Sequence, residues 1–384
     1  MLIHPKTNMH LVLFFSRNAS LKTWYEQGML EREIALYNWY IKKGMRVSFI
    51  TYGDIGDYAF QHNLPNIEIL CNRWNLPSLL YGMLIPILHA RALRKATIYK
   101  TNQLQGAQTA VLSAKIWRKP IIVRCGYLLS EFAAARNQKR PNVLRNIDFY
   151  EKKWCEKRFF SSASSVIVAS PTMGNYISRN YSIPNSKLNV VPNHVLTDIF
   201  CPKPPKSFSK NICFVGRFIE QKNILALVEA CVGIDVNLTL IGKGAMRDEI
   251  SRTADLYKVN VKFLGVLPHE KLPEQLRQSS IYVHATLYEG SPPKSLLEAM
   301  SCGLPVIGST VSGIKDLIEH GENGWLCGTS PKEIREAILT VMSDTKLQER
   351  MGRNARNLIL EKFALNRTAP QEMELLKDFS RDAE

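Results

Sequence analysis

The second half of the chain contains a segment, residues 215–223, whose residue types suit the binding of a phosphorylated ligand. Its sequence, V-G-R-F-I-E-Q-K-N, follows a predicted strand and opens a predicted helix. Gly216 lets the backbone turn tightly. Arg217 and Lys222 are then delivered to a helix start, where free N–H groups and the helix dipole favour anions. The segment predicts a diphosphate site, although two such cations standing alone are more often simply solvated.

A second segment, residues 288–307, has two carboxylates on either side of a loop of small residues. Its sequence, Y-E-G-S-P-P-K-S-L-L-E-A-M-S-C-G-L-P-V-I, again runs from a strand end through a loop into a helix. Of Glu289 and Glu298, one is placed to meet a sugar and the other to accept hydrogen bonds from ribose hydroxyls, while the loop N–H groups remain for phosphate. Together the two segments predict a sugar-nucleotide site.

Hydrophobic patterning predicts the strands and helices that hold these segments. In the first half, strands are predicted at residues 10–15, 46–52, 98–103, 120–126, 165–170 and 187–193, with a helix at residues 30–43. In the second half, strands are predicted at residues 211–216, 237–242, 261–265, 281–285 and 305–308. Strands that alternate with helices over short connections form parallel sheets, which bind ligands at the carboxyl ends of their strands.

The length and one proline-rich stretch predict two domains. A chain of 384 residues exceeds the size that one hydrophobic core usually serves. Residues 201–210 are rich in proline, lysine and serine and lack periodicity, which is typical of a linker. The predicted class is therefore α/β, with two Rossmann-like domains facing across a cleft. The predicted parts are residues 1–200, the linker, residues 211–362, and a helix in residues 363–384 that returns to the first domain.

Cysteine spacing and hydropathy exclude several classes of protein. The eight cysteines are scattered without a C-x-x-C pair, which indicates free thiols in a reducing compartment. The first ten residues lack the apolar core of a signal peptide, and no apolar run reaches the roughly 20 residues that a spanning helix needs. No D-x-D sequence occurs, so no metal site is predicted. We expect a cytoplasmic protein.

The net charge of +16 is confined to the first half of the chain. Residues 1–205 contain 27 Lys and Arg against 11 Asp and Glu, whereas residues 206–384 contain 23 of each sign. This asymmetry predicts an anionic partner: a nucleic acid, an anionic lipid leaflet or a phosphorylated substrate. The apolar run 76–88 precedes Arg91, Arg94 and Lys95, and such a pairing of apolar and cationic residues suits a membrane interface. A buried helix followed by a solvated cationic face would show the same sequence pattern. We expect peripheral association with the inner face of an anionic membrane.

Five elements of the second half, in order, resemble family 4 of the retaining glycosyltransferases, which have the GT-B fold. They are G-R-x-x-x-x-K-N, the I-G-K-G turn at residues 241–244, V-K-F-L-G, the E-G-S-P-P-K-S-L-L-E-A-M-S-C-G-L-P-V-I run, and S-G-I-K-D-L-I-E-H-G-E-N-G-W-L at residues 312–326. The matches cover most of residues 211–330. The first half is similar more loosely, through N-V-V-P-N-H-V at residues 189–195 followed by Asp198 and Phe200.

The resemblance implies roles for the residues of both segments. Arg217 and Lys222 would neutralise the diphosphate of the donor as it departs, Glu289 would contact the transferred sugar, and Glu298 would hold the ribose. The other donor-binding positions are Gly216, Val266, Lys294, Ser295 and Leu296. The base and the sugar of the donor depend on contacts near Val266 that the sequence does not specify.

The loop between the two glutamates departs from the family pattern. The family usually separates them by seven residues, whereas residues 290–297 make eight here. The extra residue, Pro292 or Pro293, should bulge the loop and shift Glu289 relative to the donor.

The first half offers four candidates for binding the acceptor. Many family members have a histidine near the donor sugar after an equivalent strand, but the sequence I-V-R-C-G-Y offers Arg124 and Tyr127 instead. Asn102 and Gln103 follow the neighbouring strand. Their amides would bind the acceptor or, equally well, cap the next helix.

The resemblance implies a hexosyltransferase that acts with retention of configuration. It would need no metal and no cofactor besides its donor, a nucleotide sugar such as a UDP- or GDP-sugar. The acceptor would be a saccharide or lipid-linked, in cell-surface polysaccharide or lipopolysaccharide biosynthesis. A sugar-nucleotide epimerase of the same fold is the alternative. A nucleic-acid-binding protein is less favoured, since no nucleic-acid motif occurs and the phosphate-binding residues lie in the neutral half.

Overall fold

The protein is described by a computed structural model that covers residues 9–136, 142–203 and 210–381. The chain forms two compact units: the first contains Met1–Val191 and Ala369–Glu384, and the second contains Pro192–Thr368. The division between the units thus lies before the predicted linker, at Val191 rather than residue 200. Residues 204–209 of that linker lie outside the described part of the chain.

The first unit is built on a seven-stranded parallel sheet with the order β3-β2-β1-β4-β5-β6-β7. Its strands are β1 (His10–Phe14), β2 (Arg46–Ile50), β3 (Ile67–Leu70), β4 (Ile98–Thr101), β5 (Ile121–Cys125), β6 (Ser165–Val168) and β7 (Leu188–Val190). The strand β1 is buried at all five positions and β6 at all four. Near-continuous apolar strands are characteristic of a parallel sheet covered on both faces.

Helices connect these strands and cover the sheet. They are α1 (Leu21–Glu26), α2 (Leu30–Lys42), α3 (Ser78–Leu88), α4 (Ala90–Lys95), α5 (Ala107–Trp117), α6 (Leu129–Arg136), α7 (Asn142–Ser162) and α8 (Pro171–Tyr181), with 3₁₀ helices at Ile55–Asn63 and Asn185–Lys187. The hydrophobic core of this unit includes Val12, Phe14, Tyr99, Val123 and Val166 from four of the strands.

The second unit has a six-stranded parallel sheet with the order β10-β9-β8-β11-β12-β13. Its strands are β8 (Asn211–Val215), β9 (Asn237–Ile241), β10 (Val261–Gly265), β11 (Ile281–His284), β12 (Val306–Ser309) and β13 (Trp325–Cys327). Its helices are α9 (Ile224–Ala230), α10 (Arg247–Tyr257), α11 (Leu272–Arg277), α12 (Lys294–Ser301), α13 (Ser312–Lys315), α14 (Pro331–Ser343) and α15 (Thr345–Leu358). Short turns of 3₁₀ helix occur at Glu220–Lys222 and His269–Lys271, and one π-helical turn occurs at Ile359–Phe363.

A last helix, α16 (Leu365–Arg381), carries the chain from the second unit back into the first. The prediction of two parallel α/β domains and of a returning C-terminal helix is confirmed. The strands β3 and β13 lie in sheets of the predicted kind but were not predicted. The eight cysteines are free thiols. Within the described ranges, no helix has the length and apolar content to cross a bilayer.

Candidate functional site

The second sheet brings the two predicted segments together. Its strand order reverses between β8 and β11, which are hydrogen-bonded neighbours although β9 and β10 separate them in sequence. Open α/β sheets bind ligands at the carboxyl ends of the strands at such a reversal. Residues 215–223 follow β8 and residues 288–307 follow β11, so the strand order itself places both segments at the expected edge.

Side-chain hydrogen bonds lock the turn after β8 to the loop after β11. The turn contains the 3₁₀ helix Glu220–Lys222 and then Asn223 in the left-handed conformation, with φ 55°. Asn223 Nδ2 donates to the carbonyl oxygen of Ala285 at 3.0 Å. Gln221 Nε2 donates to the carbonyl oxygen of Tyr288 at 2.8 Å. These bonds fix the position of Lys222 relative to the loop.

Lys222, Glu289 and His284 form a cluster at this edge, called here the Lys222 cluster. Lys222 Nζ donates to Glu289 Oε2 at 2.5 Å, and His284 Nε2 lies 3.7 Å from the same oxygen. The side chains of Lys222 and Glu289 are 10% and 15% exposed, whereas His284 is buried. A cation and a carboxylate with limited access to solvent are thus held at the carboxyl end of the sheet.

The charges of the Lys222 cluster follow from its surroundings. Burial alone would raise the pKa of Glu289, but Lys222 and His284 outweigh it and hold the pKa below its usual range. Burial, together with the Lys222 charge, lowers the pKa of His284. At neutral pH Glu289 is therefore a carboxylate and His284 is a neutral imidazole.

The helix α12 begins at this loop and supplies a second feature for an anion. Its N-cap is Pro293, whose side chain makes no capping hydrogen bond. The first-turn N–H groups of an α-helix have no acceptor within the helix, and the dipole adds positive potential there. The predicted residues Lys294 and Ser295 occupy this first turn. The loop, the helix start and Lys222 together suit a phosphate group.

Glu298 lies one turn further along α12 and is buried. His269, also buried, places Nε2 2.8 Å from Glu298 Oε1. This contact fixes the carboxylate in one orientation. The sequence predicted a ribose contact for Glu298, and the structure adds a histidine that positions it.

Tyr282 on β11 connects the cluster to α12. Its hydroxyl lies 2.9 Å from Ser295 Oγ, 3.1 Å from His284 Nδ1 and 3.3 Å from the carbonyl oxygen of Val215. Burial strongly raises the pKa of Tyr282, so it remains a neutral hydroxyl. One side chain thus links the end of β8, the end of β11 and the first turn of α12.

Two glycines of the motifs are required by close backbone approach. Gly242 has φ 141°, and a Cβ there would lie 1.9 Å from the carbonyl oxygen of Gly216. A Cβ on Gly313 would lie 2.6 Å from the backbone nitrogen of Ser291, and Gly313 N donates to the Glu289 carbonyl at 3.0 Å. The glycines of I-G-K-G and S-G-I-K therefore allow neighbouring backbone to shape the two loops.

The remaining predicted donor positions differ in exposure. Arg217 is exposed on the turn after β8, and Val266 is half-buried after β10. Leu296 is fully buried, so its side chain packs in the core, and its backbone N–H donates to the carbonyl oxygen of Pro293 at 3.1 Å.

In the first unit, the predicted acceptor residues lie at the carboxyl ends of β4 and β5. Gln103 Oε1 accepts from the backbone N–H of Gly126 at 2.9 Å and so joins the two loops. The Asn102 backbone N–H donates to the carbonyl oxygen of Phe14. The ring of Tyr127 packs against Phe132, with centroids 4.8 Å apart.

Arg124, the fourth acceptor candidate, has a partner in α16. Its Nη1 lies 3.3 Å from Glu372 Oε2, and Lys100 Nζ donates to Glu372 Oε1. Tyr40 donates to the same oxygen at 2.7 Å. These four side chains are called here the Glu372 cluster. Arg124 therefore has a role in attaching the last helix that the sequence did not predict.

Sequence reasoning missed the side chains that position the predicted ones. These are His269, His284, Tyr282, Gln221 and Glu372. The only local signal was the polar end of the strand I-Y-V-H at residues 281–284. Within the described ranges, no group of three or more His, Cys, Asp or Glu side chains is arranged to hold a metal ion.

Models of known protein families match both halves of the chain. The profile "Glycosyl transferases group 1" matches residues 200–358, and "Glycosyltransferase Family 4" matches residues 34–199. An uncharacterised glycosyltransferase of Methanocaldococcus jannaschii is 27% identical over 232 residues, which cover 56% of this chain and 59% of that protein. The amylovoran biosynthesis glycosyltransferase AmsK of Erwinia amylovora is 34% identical over 146 residues, covering 34% and 35% of the two chains.

A solved structure has the same fold. The Anabaena protein HepE, in complex with UDP and glucose, superposes with a TM-score of 0.75 at 18% identity, covering 95% of this chain and 99% of that chain. The chain spans between about half and two thirds of the length of the first curated relatives it matches: 59%, 66% and 54%.

Proposed function

The chain belongs to the family 4, or group 1, glycosyltransferases of the GT-B fold, and from this premise we propose that it transfers a hexose from a nucleoside diphosphate sugar to a saccharide or lipid-linked acceptor. We propose that the reaction retains the anomeric configuration and needs no metal ion. The observation that carries the proposal is the Lys222–Glu289 contact of 2.5 Å beside the start of α12.

In the proposed site, the diphosphate binds between Lys222, Arg217 and the first turn of α12. A lysine ammonium has three donors, so Lys222 can hold Glu289 and a phosphate oxygen at once. As the bond from the anomeric carbon to the phosphate oxygen breaks, the electron pair stays on the diphosphate. Fixed cations and N–H groups stabilise that developing charge without reorganising, which is the largest single contribution in many enzymes.

The acceptor hydroxyl attacks the anomeric carbon on the face that the phosphate leaves. Its oxygen forms the new bond, and its proton passes to an oxygen of the departing diphosphate. The pKa of Glu289 is held below its usual range, so Glu289 is a weak base. It is better suited to positioning the transferred sugar and to balancing the positive charge that develops on the sugar ring. Glu298, oriented by His269, accepts from the ribose hydroxyls.

We propose a UDP-sugar as the first donor to test. HepE, which has the same fold, binds UDP and glucose. We also propose a setting in cell-surface polysaccharide or lipopolysaccharide biosynthesis, on the inner face of the membrane in the cytoplasm. The similarity to a glycosyltransferase named for amylovoran biosynthesis and the basic first half support this setting.

A thermal-shift series with UDP, GDP and ADP tests the donor site. A ligand at 100 times its Kd stabilises the folded state by about 2.7 kcal/mol, so the preferred nucleotide should raise the Tm. The shift should be lost in Lys222→Ala and retained in Lys262→Ala, which removes an exposed lysine of β10. Equal shifts in both variants would remove Lys222 from the site.

A second assay separates transfer from epimerisation. With UDP-sugars and a panel of octyl glycosides, a transferase releases UDP only when an acceptor is present, and NMR of the product shows its anomeric configuration. An altered sugar nucleotide formed without any acceptor would favour the epimerase, and an inverted product would contradict retention.

A further inference from the structure

The apolar run at residues 76–88 forms a helix with one face in the core and the opposite face in solvent. In α3, Tyr81 and Ile85 are buried. Leu79, Met83 and Ile87 follow one another at four-residue spacing and are 66%, 61% and 70% exposed. Residues four apart lie on one face of a helix, so these three form a continuous exposed apolar row. Neither a wholly buried nor a wholly solvated helix has this pattern.

The apolar row leads directly into exposed cations. Arg91 and Lys95, in α4, follow α3 after the single residue His89, and both are exposed. Arg94 is exposed as well and lies over the ring of Trp117, 5.5 Å from its centroid. Large apolar side chains beside arginine and lysine on one surface are characteristic of a membrane-interface element.

A cationic cavity of about 490 Å³ lies at the end of this row. Arg46, Arg73, Arg91 and Lys95 line it together with a single carboxylate, Glu68. The lining also includes two buried histidines, His10 and His89, and the ring of Trp74. Four cations against one carboxylate give the cavity a net positive charge, which suits the phosphate of a lipid headgroup.

The helix α3, which carries the apolar row, runs between the carboxyl ends and the amino ends of the strands of the first sheet. At the start of α3, Ser78 Oγ donates to Asn18 Oδ1, just beyond the carboxyl end of β1. At the other end, the cavity is lined by His10 and Arg46, the first residues of β1 and β2. The row therefore runs from the carboxyl ends of the strands, where Asn102 and Gln103 lie, to their amino ends.

We propose that this surface, formed by Leu79, Met83, Ile87, Arg91, Arg94 and Lys95, docks on an anionic phospholipid bilayer with a headgroup phosphate in the cationic cavity. The apolar row enters the headgroup boundary, and the cations bind the lipid phosphates. The 11 residues of α3 span about 16 Å, roughly half of the hydrocarbon thickness, so the contact is peripheral. The inference deepens the membrane setting proposed above and rests on it, but it is independent of the donor chemistry.

Vesicle co-sedimentation tests the docking surface. The probes are vesicles of phosphatidylcholine alone and vesicles with 30% phosphatidylglycerol, over a salt series. Binding to the anionic vesicles should weaken as salt rises, and binding to phosphatidylcholine should be weak throughout. The triple change Arg91→Gln, Arg94→Gln and Lys95→Gln should weaken binding about five-fold for each cation removed, and so more than 100-fold in total.

Two further variants separate the parts of the surface. Met83→Glu with Ile87→Glu should reduce binding by at least about ten-fold for each lost apolar side chain. Arg46→Gln with Arg73→Gln changes the cavity and leaves the apolar row intact. This double change should weaken vesicle binding about five-fold for each cation removed. The matched control is Leu256→Glu in α10 of the second unit, where Leu256 is 74% exposed, and it should bind as the parent does.

Several outcomes would overturn the proposal. Equal sedimentation with both lipids, or binding unchanged in the Met83/Ile87 variant, would show that this surface does not dock on anionic lipid. A parent protein that elutes as a dimer, becomes monomeric in that variant and ignores vesicles would assign the row to a second copy. A thermal shift with UDP, measured on every variant, keeps the donor proposal separate, because a lost UDP shift and a lost lipid contact are different results.

Discussion

Each unit of this protein places a lysine–glutamate pair near the carboxyl edge of its sheet, and the two pairs differ in burial. In the Glu372 cluster of the first unit, the Lys100 and Glu372 side chains are 1% and 2% exposed. In the Lys222 cluster of the second unit, the exposures are 10% and 15%. The pair in the first unit is therefore sealed from solvent, whereas the pair in the second unit is partly accessible.

The partners of each carboxylate explain the difference. Lys100, Arg124 and Tyr40 all bind the Glu372 carboxylate, which α16 delivers from the far end of the chain. Glu289 comes from a loop, and its neighbour Lys222 keeps donors for a ligand. The first pair attaches a helix, whereas we propose that the second binds the diphosphate of the donor.

The largest expected effect is on stability, in the Glu372 cluster. Glu372→Ala should lower the free energy of unfolding by about 3–5 kcal/mol, because it leaves buried cations without their counter-charge. Chemical denaturation measures the change, and Glu374→Ala, an exposed glutamate of the same helix, is the control. A loss below 1 kcal/mol would mean that α16 is attached mainly by its apolar contacts.

The pH dependence of stability should report the same cluster. Lys100 and Arg124 outweigh burial and hold the pKa of Glu372 below its usual range. A carboxylate whose pKa is lower when folded stabilises the protein above its unfolded pKa of about 4.3, and that stabilisation is lost as the pH falls further. The stability difference between the parent and Glu372→Gln should therefore shrink as the pH falls from about 5 to 3. A constant difference would contradict this assignment.

The next largest effect is on turnover, in the Lys222 cluster. Lys222→Ala should reduce kcat by about 10²–10³-fold, the usual cost of removing one group that stabilises developing negative charge. Because Lys222 is partly accessible to solvent, Lys222→Ala should lower the Tm of the protein much less than Glu372→Ala does. Arg217→Ala should reduce kcat in the same sense, and Lys262→Ala should leave it unaltered. Full activity in Lys222→Ala would make the two clusters alike in being structural.

A smaller effect is expected at Glu298, which is as buried as Glu372 but lies next to the proposed ribose. Glu298→Gln should weaken UDP binding by about ten-fold, since a charged hydrogen bond is worth roughly 1.5 kcal/mol. The effect should appear in KM for the donor more than in kcat, because the ribose is held equally in ground and transition states. His269→Asn should shift donor KM in the same direction. Unchanged donor binding in Glu298→Gln would mean that the eight-residue spacing of the loop moves the ribose elsewhere.

The smallest expected effect is that of a chelator. If Lys222 and Arg217 supply the positive charge for the leaving group, excess EDTA should leave turnover within about two-fold of its starting value. Activity that disappears in EDTA and returns with magnesium or manganese would show that a metal shares this task.

The sequence predicted the fold and the donor segments because both depend on local patterns. Apolar runs such as His10–Phe14 specify strands wherever they occur. The strand, loop and helix order then places Lys222, Glu289 and Glu298 at strand ends. The sequence I-G-K-G also has a glycine where the fold requires one, because a side chain at Gly242 would overlap neighbouring backbone.

Only the tertiary structure decided which side chains hold the predicted ones. Glu372 meets Arg124 across 248 residues of sequence, and His269 meets Glu298 across 29. The same holds for α3, whose apolar composition predicted either burial or an interface and whose exposed row follows from what packs against it. Sequence periodicity reports the conformation of a segment, whereas burial and long-range partners depend on how separate segments pack.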